Sequence, residues 1–255
     1  MLLAIDIGNT NIVIGVIEEE KVLFDARMAT DHLKTSDQYG VEIGNILALH
    51  HCKREDITHC IISSVVPPVF HSVHSGMKKL TCVEPLVVGH GIELGVNIAM
   101  DDPKSVGSDL IVAAVAAIDR YPQPIILVDM GTATTVTVIG QNNSFLGGCI
   151  IPGVRVAADA LSSRAAQLPG IQLDNPKQII GKNTIDCMRS GIMYSAAAAI
   201  DGIVERMEDD LGEKATVVVT GGIAPIILPL CKREMILERD LLLKGLQILH
   251  KKNIT

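Results

Sequence analysis

Apolar and polar positions along the chain form a pattern that occurs twice. Apolar runs at 2–6, 11–17 and 21–27, broken by short polar stretches, predict three short strands joined by tight turns. Farther on, Tyr39, Ile43, Ile46 and Leu47 fall at helical spacing behind Ser36, which predicts an amphipathic helix with that serine as its N-cap. The stretch 59–68 reads as a strand stopped by two prolines, followed by a helix near 69–80 and a strand at 84–89. A helix over 105–121 closes the passage, with Ser108 or Asp109 at its cap.

The pattern then restarts. Residues 124–150 read as strand, turn, strand, turn, strand. When LLAIDIGNTNIVIGVI is laid over IILVDMGTATTVTVIG, Asp6 falls on Asp129, Gly8 on Gly131 and Asn9 on Thr132, at an offset of 123 residues. Helices at about 152–166 and 181–210 follow, then a strand at 215–222, a helix near 224–232 and a last helix from about 240. Strands alternating with helices predict an α/β fold, and the repeat predicts two similar domains facing each other across a central cleft. No low-complexity linker separates them. The boundary is expected by DRYPQP, near 118–124, giving domains 1–120 and 121–255.

Composition narrows the function. Aromatic residues are 2% of the chain, tryptophan is absent and the net charge is −7, which argues against a nucleic-acid partner. Any anion site must therefore be local. No basic leader opens the sequence and no run is apolar enough for a membrane helix, so a soluble, cytoplasmic protein with no membrane partner is expected. The six scattered cysteines, with no C-x-x-C pair, read as reduced thiols, mostly in the core.

The two Asp-x-Gly turns carry the candidate chemistry. In Asp6-Ile7-Gly8-Asn9-Thr10, the glycine lets the backbone approach a ligand, while the small polar side chains and backbone N–H groups suit anionic oxygens. Asp6 by itself would repel phosphate unless it holds magnesium, through water, that bridges to the phosphates. Asp129, Gly131 and Thr132 offer the same set. One such turn is ordinarily just a hairpin; two in register point to a shared nucleotide. Val219-Thr220-Gly221-Gly222 ends a strand with a glycine pair, against which a flat ring or ribose could lie, or which could simply be a tight turn. Asp109 in VGSDL suits a helix start, where the helix dipole favours a carboxylate and keeps it ionised. His71 and His74 lack a ligand cluster and read as surface, GHGIELG has the wrong spacing for a dinucleotide fingerprint, and MEDDLGEK (207–214) reads as a solvated helix end.

The strings DIGNT (6–10), SVVPP (64–68), VGSD (106–109), DMGTATT (129–135), LGGCIIPG (146–153), GKNT (181–184) and TGG (220–222), in this order over nearly the whole chain, resemble the type III pantothenate kinases. The resemblance implies two RNase H-like domains of the acetate and sugar kinase/heat-shock chaperone/actin superfamily and a homodimer. It also implies ATP-dependent phosphorylation of pantothenate at its primary (4′) hydroxyl, the entry step to coenzyme A. By the same resemblance Asp6, Ile7, Gly8, Asn9, Thr10, Asn11, Ile12 and Val13 bind ATP phosphates, with Asp6 near the metal and Thr10 on phosphate. Thr132 contacts ATP, Asp109 is the base, and Asp129 holds a monovalent cation, potassium or ammonium. Gly107, Ser108, Asp109, Leu110 and Thr184 line the pantothenate pocket, Thr184 reaching across the dimer interface.

The chain also departs from that pattern. The family usually reads Gly-Ala-Asp-Arg where this chain has Gly107-Ser108-Asp109-Leu110, so an arginine for the pantothenate carboxylate is missing. VNIAMDDP lacks a tyrosine often offered to the substrate, and Thr137 stands where aspartate is common. Lys104, Arg155 or Arg164 could substitute for the arginine. Two other readings stay open: a nucleotide-binding regulatory relative without an acceptor site, and a kinase of the same fold acting on another small hydroxy acid.

Overall fold

The computed structural model describes residues 1–89 and 91–254; His90, within GHGIELG, lies outside the described residues. The chain forms two compact units, one made of residues 1–96, 102–116 and 240–255, the other of 97–101 and 117–239. The last helix, expected in the second half, thus belongs with the first unit, so the units do not follow the expected division at 120/121.

In the first unit, β1 (Leu2–Ile7), β2 (Asn11–Glu18) and β3 (Lys21–Ala29) form an antiparallel meander, and β4 (His59–Ser64) and β5 (Leu86–Val87) extend it in parallel, in the order β3-β2-β1-β4-β5. Every residue of β1 is buried, as a central strand covered on both faces requires. One face packs on α1 (Ser36–Leu49) and α2 (Pro67–Thr81) through Tyr39, Ile43, Leu47, Val73 and Met77. α7 (Leu241–Asn253) also packs against β1 and β4. Gly15 of β2 leaves room for Leu243, whose Cδ1 would stand 2.6 Å from a Cβ there, and the Gln247 amide donates to the Glu19 carbonyl oxygen at 2.6 Å.

Several expectations are corrected at the element ends. The cap of α1 is Thr35, not Ser36: its hydroxyl accepts from the Gln38 N–H, and the Gln38 side chain accepts from the Thr35 N–H, a capping box. β4 stops at Ser64, and Pro67–Pro68 open α2, where a missing N–H and a fixed φ are tolerated. β5 keeps only two residues of the expected strand. Two of the six cysteines, Cys52 and Cys60, are buried, while Cys82 and Cys187 are exposed; all six are free thiols.

The second unit repeats the first. β7 (Ile125–Met130), β8 (Ala133–Gly140) and β9 (Ser144–Pro152) form the meander, β10 (Thr216–Thr220) and β11 (Ile236–Leu237) pair in parallel with it, and β6 (Asn97–Ile98) adds an edge. α4 (Val154–Arg164), α5 (Thr184–Leu211) and the short α6 (Ala224–Ile227) accompany this sheet, whose core joins Ile126, Val128 and Val219 to Met193, Ala197 and Ile200. Even the register irregularity recurs, between Val16 and Ile17 in one unit and between Val138 and Ile139 in the other. Leu2 matches Ile125 and Lys21 matches Ser144 at an offset of 123, but Asn11 matches Ala133 at 122. The second turn is one residue shorter than the first.

α3 (Ser108–Arg120) begins among residues assigned to the first unit and ends among residues assigned to the second. Among the described residues no helix is long and apolar enough to cross a membrane.

Candidate functional site

The first Asp-Gly turn leaves β1 at the centre of its sheet. Ile7 pairs with Ile12, the Gly8 N–H donates to the Asn11 carbonyl oxygen at 3.1 Å, and Asn9 and Thr10 form the exposed tip. Thr30, just past β3, braces it: its hydroxyl donates to the Gly8 carbonyl oxygen at 2.6 Å and its N–H to the Thr10 carbonyl oxygen at 3.0 Å. The sequence reading missed Thr30, which becomes adjacent to the turn only through the β2–β3 pairing. Val13 lies opposite Asp6 across the hairpin. Asp6 is 5% exposed, so its charge has to be offset by donors or a cation.

On the other side of β1, Ser63 of β4 lies beside Asp6 in parallel register and Ser64 beside Ile7. The Val65 N–H continues the ladder to the Ile7 carbonyl oxygen at 3.1 Å. Ser108, first residue of α3, bonds to both serines, to the Ser63 hydroxyl at 2.9 Å and to the Ser64 N–H at 3.1 Å. The Gly107–Leu110 segment is thereby fastened to the carboxyl end of β4, the same sheet edge from which the Asp6 turn departs. In α/β sheets ligands bind at the carboxyl ends of strands.

Asp109 sits in the first turn of α3 with its Oδ1 accepting the Leu110 N–H at 2.8 Å. The carboxylate folds back over Gly107, where a Cβ would stand 2.5 Å from that oxygen and 3.4 Å from Val65 Cγ1. Burial pushes the Asp109 pKa up, and the N–H groups of Leu110 and Asp109 only partly oppose it. Desolvation outweighs these donors, and it makes the carboxylate a better proton acceptor. Leu110 beside it is half-buried.

The second turn repeats the arrangement in its own unit. Asp129 is half-buried on β7, opposite Thr135 across the hairpin and beside the buried Thr220 of β10, as Asp6 is beside Ser63. Gly131 and Thr132 are exposed, and the Gly131 N–H reaches the Ala133 carbonyl oxygen at 3.1 Å. A Cβ on Gly153 would collide with the carbonyl oxygens of Thr132 and Gly131. Gly221, at φ +103°, passes so close to Met130 that a Cβ would lie 2.5 Å from its carbonyl oxygen. Gly221 thus has a local reason to be glycine, while Gly222 is exposed at the strand end. Thr137 is buried on β8.

Thr184 belongs to neither turn: it is the exposed first residue of α5, behind the N-cap Asn183, whose side chain accepts from the Asp186 N–H at 3.0 Å. Two grooves of the second unit hold about 870 Å³ and 800 Å³, one along Thr216, Leu228 and Arg233, the other along Ile180, Ser190 and Tyr194. Neither is lined by a residue expected in the site, so the turns rather than the grooves locate the chemistry. MEDDLGEK is also corrected. Glu208 is 4% exposed, held by Arg233 through two bonds of 2.7 Å, by Lys214 at 2.7 Å and by the Ala215 N–H at 3.1 Å. Among the described residues no group of three or more His, Cys, Asp or Glu side chains forms a metal cage.

The family model described as type III pantothenate kinase matches residues 2–206. The type III pantothenate kinase of Halalkalibacterium halodurans is 42% identical over 254 residues, all of both chains, and that of Bacillus cytotoxicus 43% identical over 253 residues, 99% of this chain and 97% of the other. Among solved structures, a Baf family protein from Campylobacter jejuni superposes with a TM-score of 0.61 at 17% identity, covering 98% of this chain and 97% of that one. MreB 5 of Spiroplasma citri bound to AMPPNP gives 0.57 at 10% identity, over 98% and 96% of the two chains. A ROK family glucokinase from Streptomyces griseus in complex with glucose and AMPPNP gives 0.52 at 14% identity, over 98% and 99%. The structural likenesses show the actin-like ATPase and sugar kinase fold, and the full-length sequence relatives show the family: the chain belongs to the type III pantothenate kinases.

Proposed function

We propose that this protein transfers the γ-phosphoryl group of ATP to the primary hydroxyl of pantothenate, giving 4′-phosphopantothenate and ADP, the first step of coenzyme A biosynthesis. The observation that carries the reading is Asp109, a carboxylate made more basic by burial and fastened to the sheet edge that bears the Asp6 turn. In this reading the acceptor oxygen attacks the γ-phosphorus as the bond to the β-phosphate oxygen breaks, and the hydroxyl proton passes to the Asp109 carboxylate. Phosphoryl transfer has a loose transition state, so positioning and charge compensation supply most of the catalysis. The exposed backbone and side chains of Asn9 and Thr10 cradle phosphate oxygens, with Ile7, Gly8, Asn11, Ile12 and Val13 framing the turn.

Asp6 suits magnesium shared with phosphate oxygens, since that ion is usually bound by one or two carboxylates plus the substrate's phosphates. Bound there, the cation would neutralise charge that develops on those oxygens. Asp129 suits potassium or ammonium, and Thr132, Gly221 and Gly222 suit the nucleotide. Gly107, Ser108, Leu110 and Thr184 are assigned to pantothenate, with Thr184 serving the second subunit's site in a homodimer; the cytoplasm is the proposed location. Leu110 in place of arginine is the one feature that favours a second reading, a regulatory nucleotide-binding relative.

Coupled measurement of ADP release separates these readings. Pantothenate-dependent turnover that rises with potassium is the expected result. Tight ATP binding without turnover on any acceptor would favour the regulator, and turnover on a different hydroxy acid alone would favour the kinase of another substrate.

A further inference from the structure

Three serines tie the start of α3 to the carboxyl end of β4. The Ser108 hydroxyl donates to the Ser64 carbonyl oxygen at 3.0 Å, and accepts from the Ser64 N–H at 3.1 Å and from the Ser63 hydroxyl at 2.9 Å. One hydroxyl thus uses its donor and both acceptor sites. A serine that caps a helix from the position before its first residue ordinarily accepts an N–H of the first turn, but Ser108 is itself the first helical residue. Ser108 is bonded instead to a strand 44 and 45 residues away. The Ser64 hydroxyl in turn accepts the Val66 N–H at 3.1 Å, which draws the passage from β4 into α2 into the same network. Ser63 is fully buried and lies beside Asp6.

The Asp109 carboxylate is bonded within its own turn, to the Leu110 N–H, and lies over Gly107. It therefore moves with that turn as one piece, and the turn's hydrogen-bonded attachment to the sheet is Ser108. We propose that Ser108 is a positioning residue for Asp109: its bonds to Ser63 and Ser64 fix the first turn of α3 on the end of β4 and so hold the carboxylate at the edge that bears the Asp6 turn. The inference rests on the reading of Asp109 as the base. It assigns Ser108 a task distinct from lining the pantothenate pocket.

The test is a kinetic cycle of wild type, Ser108→Ala, Asp109→Asn and the double variant, with thermal melts of each. A small misplacement of a reacting group can cost about a hundredfold in rate. Ser108→Ala is expected to lower kcat by roughly 10- to 100-fold while KM for ATP holds, and Ser108→Thr, which keeps the hydroxyl, to recover most of it. The double variant should be no slower than Asp109→Asn alone, because groups that act as a unit are not additive. A Ser108→Ala variant with a lower Tm and an unchanged kcat overturns the proposal, as does a loss that multiplies in full on the Asp109→Asn background. If Ser108→Ala does not fold, Ser63→Ala removes one of the three bonds; a smaller fall in kcat supports the proposal and an unchanged kcat overturns it. A wild-type protein that releases no ADP with pantothenate defeats the functional reading itself, whereas an active wild type with a normal Ser108→Ala defeats only this inference.

Discussion

A Cβ on Gly107 would lie 2.5 Å from Oδ1 of Asp109, because the carboxylate folds back over the glycine to take the Leu110 N–H. Half-buried in that pose, Asp109 holds its proton more tightly than a solvated aspartate does. The same burial that improves it as a base opposes folding whenever the group is charged.

The sign of that effect can be read from stability. A carboxyl group whose pKa is raised on folding disfavours the folded state once it is deprotonated, and the penalty disappears only as pH falls below the raised pKa. Asp109→Asn removes the charge and keeps an acceptor for the Leu110 N–H. Its Tm at neutral pH should equal or exceed that of wild type, while kcat falls by about 10²- to 10⁴-fold, the usual contribution of a positioned base. Melting curves and steady-state rates on the same preparation check this; a lower Tm with an intact rate would remove Asp109 from its role.

Leu110 is half-buried next to the base. If the pantothenate carboxylate lies near it, Leu110→Arg supplies a charge-assisted contact of about 1.5–3 kcal/mol and should lower KM for pantothenate roughly tenfold or more. KM for ATP should hold. An unaltered KM for pantothenate would place the carboxylate elsewhere, with Lys104, Arg155 and Arg164 the next positions to substitute.

Gly153 packs under the second turn, where a Cβ would meet the Thr132 carbonyl oxygen. Backbone atoms cannot swing aside as a side chain can, so Gly153→Ala should cost about 1–3 kcal/mol of stability. It should also weaken ATP binding measured by calorimetry, if that turn serves the nucleotide. Normal affinity in a destabilised variant would separate the turn from ATP.

Glu208 supplies a pH signature unrelated to catalysis. Arg233 holds its pKa down to about 2 against the ordinary 4.5, despite opposing burial, with help from Lys214 and the Ala215 N–H. A depressed carboxylate stabilises fully above its unfolded pKa and loses that contribution as pH falls toward the folded value; here it is on the order of 3 kcal/mol. Arg233→Ala should destabilise by about 3 kcal/mol at neutral pH, because a buried charge loses its main partner. Urea titrations at neutral pH and near pH 3 should show the difference between variant and wild type shrinking in acid.

The repeated hairpin was legible because short apolar runs and glycine-bearing turns are local signals, and they recur at offsets of 122 to 123 residues. The missing residue in the second turn was not, since Thr134 and Thr135 sustain the alternation in either register. Leu241, Leu243, Leu246 and Leu249 announce that α7 is buried, yet nothing in an apolar stripe says against which sheet. The charge run around Glu208 looks solvated until Arg233, 25 residues on, folds back to it. In the candidate site, the turns and the VGSD string could be read directly. Thr30 and Ser63 could not, because strand pairing, rather than sequence distance, makes them neighbours of the Asp6 turn.

The most direct measurement follows ³¹P signals of ATP mixed with pantothenate and either wild type or Asp109→Asn. The expected result is a phosphomonoester resonance that grows in step with ADP for wild type and is nearly absent for the variant. Bound ATP with no phosphomonoester, or equal growth in both samples, would contradict the account.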